Sequence, residues 1–103
     1  LTYKYFKSSN LENKHFFKDE IKKSECTYQI SLSGTFPKRS NFIIFYVQED
    51  NMYKEVAKGN IDLGLNKNIY MLYFSSKYKK NKIMYEICDQ FGNVLSKMLV
   101  TGN

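Results

Sequence analysis

From Cys26 onward, short apolar segments are separated by turn residues, and no connection between them is long enough to hold a crossover. Parallel strands need a connection of roughly a dozen residues or more. The spacing therefore admits only antiparallel pairing, and segments recurring every roughly 8–12 residues argue for an all-β sandwich or small barrel. Cys26, Tyr28, Ile30 and Leu32 alternate with Thr27, Gln29, Ser31 and Ser33, the period-2 pattern of a strand with one buried and one wet face. Residues 34–40, with Pro37, read as a turn, and 42–47 is apolar on both faces, as in a central strand between covered layers. Glu49, Asp50 and Asn51 break that strand, and 52–57 is a weaker, more polar one. Lys58, Gly59 and Asn60 are expected to turn the chain, with another short strand over 61–65 before a turn at 66–68. A doubly apolar strand at 69–74, a basic hairpin loop at 77–81, a strand at 82–88, a turn at 90–93 and a strand at 94–100 complete the pattern.

The N-terminal quarter is less regular. Residues 2–6 read as a short strand, and Ser9, Asn10, Leu11 and Glu12 match a capping box that could open one or two helical turns. Over 11–23, Phe17 and Ile21 stand at helical spacing, while the adjacent Phe16 and Phe17 suit an extended edge equally well. No repeat, Pro- or Ser-rich linker or other boundary interrupts the 103 residues, so residues 1–103 are expected to form one domain of six to eight strands. With 43% apolar residues and no run of 18, the chain can bury one modest core and holds no membrane-spanning helix. It opens on Leu1, with neither a charged n-region nor an apolar h-region, and is expected to be a fragment of a larger chain.

The formal charge of +6 raises nucleic acid, anionic lipid and sulfated glycan as partners. Composition weakens that inference, because Lys supplies 15 of the 16 basic residues. Phosphate and base readers lean on the planar fork of Arg, which Lys does not imitate. The abundance of Lys, Asn, Ile, Phe and Tyr, with a single Arg and a single Pro, reads as the codon bias of an AT-rich genome.

Tyr85, Ile87, Asp89, Gly92, Asn93 and Val100 form a strand–turn–strand that resembles the last two strands of immunoglobulin-like modules. Leu65 and, five residues on, Tyr70 are similar to the tyrosine corner of fibronectin III and immunoglobulin domains. No Trp is present, so the buried Trp of antibody domains has no counterpart. The resemblance implies an antiparallel immunoglobulin-like β-sandwich. It also implies a cross-sheet disulfide between Cys26 and Cys88, whose separation of 62 positions is near that of such domains. That bond would be worth about 4 kcal/mol by loop closure. The other reading is two buried free thiols, because Cys88 shares a strand face with Met84 and Glu86 while Ile83, Tyr85 and Ile87 point the other way.

Catalytic chemistry is not expected. His15, the sole histidine, stands beside Phe16 and Phe17 with no nucleophile motif around it. Asp19 with Glu20, Glu49 with Asp50, and Asp89 read as solvated turn carboxylates, which hold calcium only if a second oxygen-rich loop lies beside them. Two Cys without C-x-x-C spacing make no metal site, no phosphate-cradling Gly motif appears, and no cofactor is implied. The sharpest feature is Lys77, Tyr78, Lys79, Lys80 and Lys82, a basic aromatic tip that suits a sulfated glycan or anionic lipid headgroups, or else is only a solvated loop. Lys38 and Arg39 beside Pro37 form a second, weaker basic tip, and Tyr3, Tyr5, Tyr53 and Tyr78 are the aromatics expected to be exposed.

These readings lead to a non-enzymatic extracellular or cell-surface interaction module, working in adhesion, receptor binding or a membrane-fusion ectodomain, with a protein or host-surface ligand as partner. The alternative is an intracellular OB-like barrel binding nucleic acid, for which the near absence of Arg is unfavourable.

Overall fold

Among the described residues, seven antiparallel strands follow one another: β1 (Thr2–Ser8), β2 (Cys26–Ser33), β3 (Phe42–Glu49), β4 (Met52–Asn60), β5 (Lys67–Phe74), β6 (Ile83–Cys88) and β7 (Val94–Leu99). The computed structural model describes residues 2–8, 26–74 and 83–100, with backbone alone for 2–8 and for residues 26, 27, 49 and 74. Six strands make a two-stranded sheet, β2-β5, and a four-stranded one, β4-β3-β6-β7; β1 lies along the free edge of β2 and extends the smaller sheet to three. The described residues contain no helix, and hence none long and apolar enough to cross a membrane. The helical turns expected over 9–23 and the basic loop 77–81 lie outside the described residues.

Alternation decides which faces meet. Tyr28, Ile30 and Leu32 of β2 and Tyr70 and Leu72 of β5 are buried against Ile43, Phe45 and Val47 of β3, Val56 of β4, and Ile83, Tyr85 and Ile87 of β6. The two sheets thus share one apolar core, and Phe45 spans it, its ring 5.4 Å from that of Tyr70 and 5.9 Å from that of Tyr85. Both contacts are tilted, as aromatic quadrupoles favour. β3 occupies a central position, between β4 and β6. Its outward residues Phe42, Ile44 and Tyr46 are only half-buried, so the second covering layer expected from its apolar run is not complete.

Two expected elements are displaced. Lys58, Gly59 and Asn60 do not turn the chain but continue β4, and 61–65 is a loop where a strand was expected. The cause is a bulge, which pairs Tyr46 with Glu55 but Phe45 with Ala57, so that Val56 and Ala57 are buried in succession and the strand runs on. Gly59 serves a close approach: a Cβ there would stand 2.8 Å from the Tyr70 ring. Tyr70 donates its hydroxyl to the Asn60 carbonyl at 2.7 Å, tying β5 to the end of β4. This is the kind of bond a tyrosine corner makes, but it closes the β4–β5 connection and not the approach to the penultimate strand.

The expected Cys26–Cys88 disulfide is not formed, and Cys88 is a free, buried thiol. Strand phase is the reason. In β6, Ile83, Tyr85 and Ile87 enter the shared core, which leaves Met84, Glu86 and Cys88 on the outward face. Cys26 belongs to the other sheet, in register with Phe74. A thiol aimed away from the opposite sheet is badly placed for a bond whose Cβ atoms must approach within about 4.5 Å.

Candidate functional site

Because consecutive strands run antiparallel, the β2–β3, β4–β5 and β6–β7 connections emerge at one end of the sheets. Backbone bonds lace the three together: Asn41 donates to the Cys88 carbonyl at 2.8 Å and accepts from the Ile61 amide at 2.9 Å. The strand ends that flank 75–82 lie at the opposite end, beside the Asp50–Asn51 turn. Lys38 and Arg39 fall in the described loop end, whereas Lys77, Tyr78, Lys79, Lys80 and Lys82 lie outside the described residues.

Each connection has its own internal frame. In the β2–β3 loop the Ser40 amide donates to the Pro37 carbonyl at 3.2 Å, and the Ser40 hydroxyl reaches the same oxygen at 2.6 Å. Arg39 occupies the third position of this turn with φ 70°, a left-handed conformation that glycine adopts at no steric cost and that Arg adopts under strain. Asn68 clamps the β4–β5 loop, accepting from the Asp62 amide at 2.9 Å and donating to the Asp62 carbonyl at 3.0 Å. Asp62 in turn accepts the Gly64 amide at 2.9 Å. The β6–β7 turn is built on Asp89, whose Oδ1 accepts the Phe91 and Asn93 amides and whose Oδ2 accepts the Asn93 side chain, each at 2.9 Å. Gly92, at φ 89°, follows as the left-handed residue that such a three-residue hairpin loop requires. The Asn93 side-chain bond, joined by the turn amides, holds the Asp89 carboxyl below the usual carboxylate range.

These frames project apolar side chains into solvent. Phe91 is 80% exposed, and Leu63 and Leu65 are each 54% exposed. Two open clefts flank the β2–β3 loop. One, of about 560 Å³, lies between Phe36–Lys38 and Leu63 and Leu65; the other, of about 530 Å³, lies between Arg39–Asn41 and the β6–β7 turn. Sequence reasoning singled out Lys38 and Arg39 but missed Phe91, Leu63 and Leu65. The signal for Phe91 was present, since a large aromatic inside an Asp-x-x-Gly-Asn turn has no core to enter. Leu63 and Leu65 were hidden because their alternation imitates a strand.

The outward face of the four-stranded sheet carries one polar cluster among Phe42, Ile44, Met84 and Leu99. Tyr46 donates to Glu86 Oε1 at 2.7 Å, and Lys97 stands 3.4 Å from Glu86 Oε2. Burial first, then the Glu86 hydrogen bond and charge, pushes the Tyr46 phenol well above its ordinary range. Burial likewise raises the Cys88 thiol, with Glu86 and Asp89 adding to the shift, which suppresses the thiolate needed for reactivity. Lys58 sits over the Phe42 ring, 4.4 Å from its centroid. Of the other expected residues, Tyr53 is exposed at 42%, while His15, Asp19 and Glu20 lie outside the described residues, as do the side chains of Tyr3, Tyr5 and Glu49. No group of three or more His, Cys, Asp or Glu able to hold a metal occurs among the described residues. No family model, curated protein or solved structure matches the chain.

Proposed function

We propose that this chain is a non-enzymatic interaction module of immunoglobulin-like sandwich architecture that docks a protein partner through the β2–β3, β4–β5 and β6–β7 end. The observation that carries the reading is the combination there of exposed Phe91, Leu63 and Leu65 with turns fixed by their own hydrogen bonds. Large apolar anchors on pre-ordered loops lose little conformational freedom on binding, which is where interface energy concentrates. The strand order supports the architecture. Lettered A to G in chain order, the sheets are A-B-E and D-C-F-G, against A-B-E-D and C-F-G in constant-type immunoglobulin domains. The fourth strand alone has changed sheets. In immunoglobulin variable domains the B–C and F–G loops of this same end form the recognition surface.

Two open sheets with free edges on β4 and β7 also count against a closed OB-like barrel. With Cys88 free, a secreted or cell-surface setting loses its disulfide argument, and the interaction reading rests on the loop end alone. The test is photo-crosslinking in extract of the native source, with benzoyl-phenylalanine placed at Phe91 and, as control, at Tyr53 on the β4 side of the opposite end. The reading predicts a discrete heterologous adduct from position 91 and none from 53; the reverse pattern would contradict it.

A second reading concerns that opposite end, where Met52 is 75% exposed beside the strand ends flanking Lys77, Tyr78, Lys79, Lys80 and Lys82. A lysine-rich segment of this composition suits anionic lipid headgroups or sulfated glycan. Lys79→Glu with Lys80→Glu should abolish retention on heparin and on phosphatidylserine vesicles if the reading holds, and unchanged retention would remove it.

A further inference from the structure

The cleft between the β2–β3 loop and the β6–β7 turn is lined by Arg39, Ser40, Asn41, Asp89, Gln90 and Phe91, with Asn93 at its margin. Asp89 stays ionised, but among the described residues its carboxylate bonds only within its own turn, where the Phe91 and Asn93 amides and the Asn93 side chain partly offset its charge. The Ser40 hydroxyl is bonded to the Pro37 carbonyl. Arg39 makes no ion pair with any described residue, and it is held at the cleft by a backbone conformation that disfavours a side chain. Left-handed strain at a non-glycine residue persists only where the surroundings enforce it, and it gathers at ligand clamps. Beside this uncommitted guanidinium, the exposed Phe91 offers a flat apolar face.

We infer that this cleft binds an acidic protein segment in which an aspartate or glutamate adjoins an apolar or aromatic residue, the carboxylate going to Arg39 and the apolar group to Phe91. A guanidinium pairs a carboxylate through two parallel hydrogen bonds, a geometry that Lys38 cannot supply from the neighbouring position. The walls are fixed before binding. Asn41 is bonded to the Cys88 carbonyl and to the Ile61 amide, and the Asp89 amide is bonded to the Asn93 carbonyl at 3.0 Å. The inference rests on the loop end being the docking surface and adds to it the chemistry of what docks.

The experiment is selection of random dodecapeptides displayed on phage against the immobilised full chain, followed by affinity measurement on synthetic copies of the enriched sequences. The expected result is enrichment of Asp or Glu next to Phe, Tyr, Leu or Ile. Binding of those peptides should fall at least tenfold in Arg39→Gln and in Phe91→Ala, and persist in Leu63→Ala with Leu65→Ala. Phe91 is too exposed for its loss to unfold the chain, and a thermal transition recorded for each variant separates lost binding from lost fold. Enriched peptides without acidic residues, or with affinity indifferent to Arg39 and Phe91, would overturn the inference. If such peptides depended on Leu63 and Leu65, the docking end would stand while its acidic ligand fell. No enrichment that depends on any of these four residues would overturn both. Retention of a single-stranded oligonucleotide that is lost in Arg39→Gln, without acidic peptides being selected, would assign the cleft to phosphate and overturn the inference as well.

Discussion

At the scale of single residues, several positions are explained by a specific approach or bond and are testable one at a time. Gly59 lies under Tyr70, and an added Cβ at 2.8 Å from a ring that is itself packed on Phe45 has no flexible neighbour to displace. Gly59→Ala should therefore destabilise the fold by about 1–3 kcal/mol, measured by denaturant unfolding. Arg39 gives the opposite result. Replacing it by Gly removes left-handed strain but adds freedom to the unfolded chain, so stability should be unchanged or higher by about 1 kcal/mol. Binding at the loop end should drop in the same variant, which separates function from folding. Asp89 titrates below the ordinary carboxylate range in the folded turn. Its stabilising bonds are thus fully present above the unfolded-chain value of about 3.9 and are lost as pH falls through the lower folded value. Amide shifts of Phe91 and Asn93 should move together in that acid window, and Asp89→Asn should abolish the transition. Cys88, buried and with its thiol raised, should resist alkylation in the folded chain. In denaturant without reductant, intact mass should show two adducts, since no disulfide protects either Cys.

At the scale of elements, the alternation of Tyr28, Ile30 and Leu32 was enough to place β2, and the runs at 42–47 and 82–88 were enough for β3 and β6. The phase of β6 also foretold that Cys88 faces away from the core, in conflict with the disulfide that the immunoglobulin resemblance implied; the phase argument prevailed. What could not be read was the end of β4. Lys58, Gly59 and Asn60 are turn formers by local chemistry, and only the bulge at Val56 and the seat of Tyr70 over Gly59, both tertiary, keep them extended. Once β4 runs to Asn60, residues 61–65 are left as a connection, and Leu63 and Leu65 become surface anchors. β7 is the free edge of the larger sheet, with Val94, Leu95, Met98 and Leu99 all exposed and its one charge, Lys97, paired with Glu86. Such an edge invites strand pairing between molecules. Leu99→Lys should leave unfolding free energy within about 0.5 kcal/mol and reduce association at high concentration, measured by sedimentation velocity.

At the scale of the whole molecule, the two ends differ in what the fold does with their connections. Three connections at one end are tied to each other through Asn41 and carry exposed apolar groups beside Arg39, which forms no ion pair with any described residue, and the proposed docking rests on that arrangement. Of this surface only Lys38 and Arg39 were legible in advance, because charge in a turn is visible in sequence whereas the bringing together of three loops is a property of strand order. Docking through that end requires the loops to be ordered before any partner arrives. Nitrogen-15 relaxation of the free chain tests this requirement directly, through the backbone order parameters of Arg39, Leu63, Leu65 and Phe91. Values near the rigid-backbone level of about 0.85 at all four are predicted; values below about 0.6 would mean loops that order only on contact, and would contradict it.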